Sequence, residues 1–229
     1  MKKLIEDFTK HLAESIEIGT KANLKSTDKN IQSVLICGLG GSGIGGTVVS
    51  QIVADDANTP IVVNKDYKIP AFVNKNTLVI CSSYSGNTEE TLEMLALAEA
   101  KGAEIACVTS GGKLEEIAKT KGYNLISIPG GHPPRAEFGF SLPPLFKLLH
   151  HYNVIKNSFA DAFTKSIANI DNNETAIKDE AKIITEKLFG KIPVIYSDAW
   201  FEGVSIRFRQ QINENAKTWA QVEDISTAS

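Results

Sequence analysis

The sequence predicts an α/β protein: a three-layer α/β/α sandwich on a parallel β-sheet, followed by the start of a second, similar domain. Three observations carry this. Short apolar runs alternate with longer helical segments from residue 34 onward. The runs are continuously apolar rather than alternating, as befits strands covered on both faces. Glycine- and hydroxyl-rich turns follow two of them and open the next helix. Right-handed crossovers then place helices on both faces, and ligands of such sheets bind at the carboxyl ends of the strands.

Taken in order, Leu4, Ile5, Phe8, Leu12 and Ile16 mark one apolar face of a helix over residues 2–18. A polar loop, 21–30, follows. Residues 34–37 form a first strand, 47–54 a helix, and 61–63 and 77–81 the second and third strands. Residues 88–100 are rich in Glu, Leu and Ala and are closed by Gly102, which predicts a strong helix. A fourth strand (105–109), a helix (114–121) ended by Gly122, and a fifth strand (125–128) stopped by Pro129 come next. A helix over 144–152 keeps Pro144 in its first turn, where proline is tolerated.

From 158 to 189 the pattern gives two polar-faced helices. IPVIYS, residues 192–197, is a new strand, and 200–219 one more helix. The expected organisation is a domain over 1–153, a helical linker over 154–190, and the opening strand and helix of an incomplete domain over 191–229. One strand and one helix cannot bury their own apolar faces, so the chain reads as cut short.

Composition narrows the partners. With 229 residues and a net charge of −3, the chain has no basic field for nucleic acid or anionic lipid. Its three cysteines, Cys37, Cys81 and Cys107, lie in apolar runs without C-x-x-C spacing. They read as reduced core residues of a cytoplasmic protein. Acids at Glu6, Asp7 and Glu14 interrupt the N-terminus, which argues against a signal peptide, and no run suits a membrane span.

Residues 38–46, Gly-Leu-Gly-Gly-Ser-Gly-Ile-Gly-Gly, join a strand to a helix. Glycines let backbone N–H groups approach an anion, and a helix N-terminus favours negative charge. The stretch also fits G-x-G-x-x-G twice, so a dinucleotide site competes. That fingerprint wants an acid at the end of the second strand, where Asn64 and Lys65 stand.

Residues 82–91, Ser-Ser-Tyr-Ser-Gly-Asn-Thr-Glu-Glu-Thr, form a second such turn. Asn87 with Glu90 fits a capping box. Capping needs one acceptor, however, and Ser83, Ser85 and Thr88 crowd the same turn. Hydroxyls with helix N–H groups make a neutral phosphate cradle.

The two turns together resemble the sugar isomerase (SIS) domain, of flavodoxin-like fold, and within it the bifunctional phosphoglucose/phosphomannose isomerases. The resemblance implies that Ser83, Ser85 and Thr88 hold the phosphate of a sugar phosphate, with Gly41 and Ser42 near the sugar. Pro134, Arg135 and Ala136 match the family's P-R-A, which implies that Arg135 stabilises an anionic intermediate. Asn213 to Lys217 match N-E-N-A-K, which implies that Glu214 is the base. The implied reaction is aldose-ketose isomerisation of hexose 6-phosphates through an enediolate, with no metal or redox cofactor. A non-catalytic sugar-phosphate module is the alternative.

The resemblance runs from the first helix to Lys217. The family's following proline-glutamate-histidine segment has no match in residues 218–229, and His132 reads as an exposed loop residue. A homodimer is expected from the resemblance and from the exposed strand 192–197.

Overall fold

The structure is a computed structural model and describes residues 1–224. It divides into two units, 1–160 and 161–229. Residues 225–229, which end the expected second domain, lie outside the described residues.

The first unit holds five parallel strands in the order β2-β1-β3-β4-β5. These are β1 (Ser33–Cys37), β2 (Ile61–Asn64), β3 (Thr77–Ser83), β4 (Glu104–Thr109) and β5 (Asn124–Ser127). Every residue of β3 is buried, as a central strand with two covered faces requires. The single helix expected over 2–18 is two helices, α1 (Lys2–Glu6) and α2 (Phe8–Lys21), divided at Asp7. After β1 comes α3 (Gly40–Ile52), after β3 α4 (Glu89–Ala100), after β4 α5 (Gly112–Lys121), and after β5 α6 (Phe138–His151). Helices α4 and α5 supply Met94, Leu95, Ala98, Leu114 and Ala118 to a core on one sheet face. Helices α2, α3 and α6 pack together on the other.

Register places Cys37, Cys81 and Cys107 side by side on neighbouring strands, all free and fully buried. Contact with Cys37, then burial, holds the Cys81 thiol well above its ordinary range. Burial alone pushes Cys107 up to about 12. These thiols are inert in the folded unit and become reactive only when it opens.

Two helices begin a full turn or more before their expected starts. Helix α3 starts inside the glycine stretch, seven residues before 47, despite poor helix propensity there. Packing overrides it: a Cβ on Gly43 would meet Gly38 O at 2.5 Å, so the turn closes on itself only with glycine. Helix α6 starts at Phe138, which puts Pro143 and Pro144 in its second turn rather than its first. Pro144 cannot donate to Phe140 O, four residues back. Ser15 Oγ of α2 donates to that carbonyl instead, at 2.7 Å. Ser15→Ala strands a buried carbonyl and is expected to cost about 1–3 kcal/mol. Both tryptophans, Trp200 and Trp219, lie in the second unit and all three cysteines in the first. Thiol labelling along a urea series therefore reads this loss where tryptophan fluorescence does not.

The second unit contains α7 (Ala160–Asn172, which begins one residue before the division), α8 (Glu174–Leu188), β6 (Val194–Ser197), α9 (Glu202–Gln211) and β7 (Gln221–Asp224). Neither α7 nor α8 fully buries a side chain. The single helix expected over 200–219 is instead a 3-10 turn (Ala199–Phe201), α9 and a π-turn (Ile212–Ala216). Lys217 ends the π-turn in the left-handed conformation. Strand β7 then pairs parallel with β6, from Val194↔Gln221 to Ser197↔Asp224. So β6 has a partner within the chain, which removes the unpaired-strand argument for a dimer. Tyr196, Trp200, Phe201 and Trp219 stay exposed around this small sheet.

Candidate functional site

Strand order reverses between β1 and β3, and the crevice there is where open α/β sheets bind ligands. A cleft of about 90 Å³ opens at that point. Larger grooves exist, of about 420 and 310 Å³, but they are walled by the end of α3, the loop into β2, the loop before β1 and the tail of α6. Position decides between them, since neither groove holds a glycine-rich turn or a helix N-terminus. The 90 Å³ cleft is well below the ~300–1,000 Å³ of an enclosing ligand pocket, which suits one end of a ligand rather than all of it.

Three turns line the cleft. The first contributes Gly41 and Ser42. A Cβ at Gly41 would touch only Pro134 O, at 3.4 Å, so this glycine faces the cleft rather than the packing that Gly43 serves. The second turn contributes Tyr84, Ser85 and Thr88. Tyr84 N donates to Ser42 Oγ at 3.3 Å, which ties the first two turns together. The third turn contributes Pro134, Glu137 and Ser141.

Inside the second turn, Ser83 Oγ and Thr88 Oγ1 are 2.7 Å apart, and Gly86 N donates to Ser83 Oγ at 3.2 Å. Ser83 is buried and shapes the turn from beneath, while Ser85 is exposed and accepts from Asn87 N at 3.2 Å. The expected Asn87–Glu90 capping box does not form. Thr88 is the N-cap of α4 and no side chain caps it. Asn87 Oδ1 is instead taken by Lys113 N at 3.1 Å, in the turn that opens α5. That leaves the first N–H groups of α4 without a side-chain acceptor, and α3 is likewise uncapped by any side chain. Two helix N-termini with hydroxyls between them attract an anion without any lysine. At the end of β2, Asn64 Nδ2 donates to Lys68 O, and no acid occupies the position a dinucleotide site needs.

Arg135 lies on a 3-10 turn (Pro134–Ala136) between two lining residues, Pro134 and Glu137. Glu214 lies in the second unit, exposed on the π-turn. Its charge acts on Arg207 of α9, whose guanidinium burial pulls below its ordinary value and Glu214 pushes back.

Two residues escaped the sequence reading. Arg207 is one. The other is Glu137, fully buried at the cleft, with its Oε1 2.9 Å from His132 Nδ1. His132 is therefore not merely a loop residue: its ring faces a carboxylate, and His11 stacks 6.3 Å from it. Burial pushes the Glu137 carboxyl up, and the charges of His132 and His11 pull it back. No periodicity or motif marks either residue, because only burial sets them apart from ordinary surface charges.

Comparison with known proteins agrees with this architecture. A family model for the bacterial phospho-glucose isomerase C-terminal SIS domain matches residues 177–229. The match thus continues past Lys217, where the resemblance was expected to stop. A crystal structure of a candidate phosphosugar isomerase from Clostridium difficile 630 superposes with a TM-score of 0.76 at 18% identity, covering 98% of this chain and 68% of that one. Fold and cleft together define an SIS-domain protein.

Among curated proteins, the bifunctional phosphoglucose/phosphomannose isomerase of Caldicellulosiruptor bescii is 38% identical over 226 residues, 95% of this chain and 66% of that protein. The enzyme of the same name from Aquifex aeolicus is 39% identical over 188 residues, 82% of this chain and 57% of its own length. The chain belongs to the bifunctional phosphoglucose/phosphomannose isomerase family, and it spans less than two thirds of the length of these two relatives.

Proposed function

We propose that the switch-point cleft binds the phosphate of a hexose 6-phosphate, and that the chain takes part in interconverting glucose 6-phosphate, and mannose 6-phosphate, with fructose 6-phosphate. The observation that carries this is the convergence of two uncapped helix N-termini and the Ser42, Ser85 and Thr88 side chains on one cleft. The names of the curated relatives support the substrate class.

The chemistry follows from the residues. A carboxylate removes the proton from C2 of the open-chain aldose, an enediolate forms, and the proton returns at C1. Glu214 is the proposed base, because its type and its place in the N-E-N-A-K stretch suit that task. Arg135 is the proposed cation that offsets the enediolate charge. Anchoring the phosphate fixes the distance from cradle to reacting carbons, so remote binding energy orients the chemistry.

Calorimetric titration tests the binding half. Fructose 6-phosphate is expected to bind, fructose is not, and Thr88→Val is expected to weaken the phosphate ester at least about tenfold by removing a hydroxyl from the cradle. Equal affinity for fructose and its phosphate would reject the reading. Binding without proton exchange at C1 or C2 would reduce the chain to a sugar-phosphate module.

A further inference from the structure

Glu137 occupies an unusual place for a carboxylate. Its side chain is 1% exposed, and neither carboxylate oxygen receives an aligned hydrogen bond among the described residues. It stands at the N-cap of α6 yet caps nothing. The imidazole beside it, His132, is itself 39% exposed, so solvent shares that pairing. A buried carboxylate so poorly satisfied opposes folding, and an apolar side chain would serve the packing better. Tyr84, which also lines the cleft, accepts from His132 N at 3.1 Å through its hydroxyl oxygen and keeps its own proton to donate.

We propose that Glu137 is a specificity-determining residue, whose carboxylate accepts hydrogen bonds from hydroxyl groups of the bound sugar. The inference rests on the sugar-phosphate reading of the cleft. Sugar hydroxyls are the donors this carboxylate lacks, and two neighbouring ones match its two oxygens. Electrostatics fixes which end goes where. The carboxylate repels a phosphate, so that group seats against the helix N-termini of α3 and α4 and the hydroxyls turn toward the third turn. His132 Nδ1 holds the carboxylate at 2.9 Å, and the His11 ring stacks 6.3 Å from the His132 ring.

The test compares wild type with Glu137→Gln, titrated with fructose 6-phosphate and with inorganic phosphate, alongside thermal melts at pH 7. Glutamine keeps the shape and removes the charge. Affinity for fructose 6-phosphate is expected to fall on the order of tenfold. Affinity for inorganic phosphate is expected to hold or rise, and the melting temperature to rise. The sign is fixed by the raised carboxyl pKa: the ionised form, present above that value, is the destabilised one. Unchanged sugar affinity, or a parallel loss of both ligands, overturns the inference. A variant that fails to fold overturns it too, since the carboxylate would then serve the fold. Wild type can be tested by itself with hexose 6-phosphates each lacking one hydroxyl, where uniform affinity is the contrary result. Wild type that binds neither ligand defeats the sugar-phosphate reading, whereas binding that ignores Glu137→Gln defeats this inference alone.

Discussion

Glu214→Gln is expected to slow isomerisation by about 10²–10⁴-fold while leaving the affinity for fructose 6-phosphate unchanged. An amide cannot accept the C2 proton, and the lost rate corresponds to about 3–5 kcal/mol of transition-state stabilisation. The carboxylate stands far along the chain from the proposed phosphate cradle, in a separate unit, so its removal leaves residues 83–88 intact. Proton exchange gives the sharper measurement. With the chain in deuterium oxide, NMR follows deuterium entering C1 and C2 of the sugar. Wild type is expected to wash the label in, and the variant is not. Undiminished exchange would remove Glu214 as base, and loss of binding would make it a ligand contact instead.

Gly86→Ala is expected to disable the cradle altogether. Gly86 sits at φ +66°, and a Cβ there would lie 1.7 Å from Gly111 O and 2.8 Å from Thr109 Oγ1. The left-handed backbone alone costs about 1–2 kcal/mol for a residue with a Cβ. The overlap with Gly111 adds to this, because that atom is backbone and is held in place. Thr109 Oγ1 donates to Gly111 O at 2.8 Å, and Leu114 N donates to Gly86 O at 2.9 Å. Relief requires pulling the second turn away from the turn that opens α5, which also breaks the Ser83–Thr88 contact. A total loss of about 3 kcal/mol or more in the first unit is expected, with sugar-phosphate binding no longer measurable. Thiol labelling in urea and calorimetry check the two halves. Near-native stability in this variant would show that the two turns are not rigidly coupled.

The strands of the first sheet were legible because burial on both faces leaves uninterrupted apolar runs such as Val34–Cys37 and the interior of β3. The two glycine- and hydroxyl-rich turns were legible for the complementary reason, since their glycines and hydroxyls exceed what a plain turn needs. Strand β7 was not, because Gln221–Asp224 alternates polar residues around one valine and looks like loop until β6 lies beside it. The starts of α3 and α6 were hidden by glycine and proline, residues that argue against helix until tertiary packing outweighs propensity. Asn87 carried a true local signal that a distant partner, Lys113, claimed instead. Glu137 and Arg207 carry no signal in one dimension, because a charged residue becomes informative only when its surroundings exclude water.

The serine from α2 that completes α6 has an architectural corollary. Helix α6 borrows part of its rigidity from a residue 125 positions earlier, and Gly139 is pressed against His11 and Phe8 of the same opening helix. The segment carrying Arg135 and Glu137 feeds directly into this junction. Its aim is thus set by the first twenty residues of the chain rather than by its own sequence. Grafting 130–151 onto another parallel sheet would transplant the side chains but not their bearing.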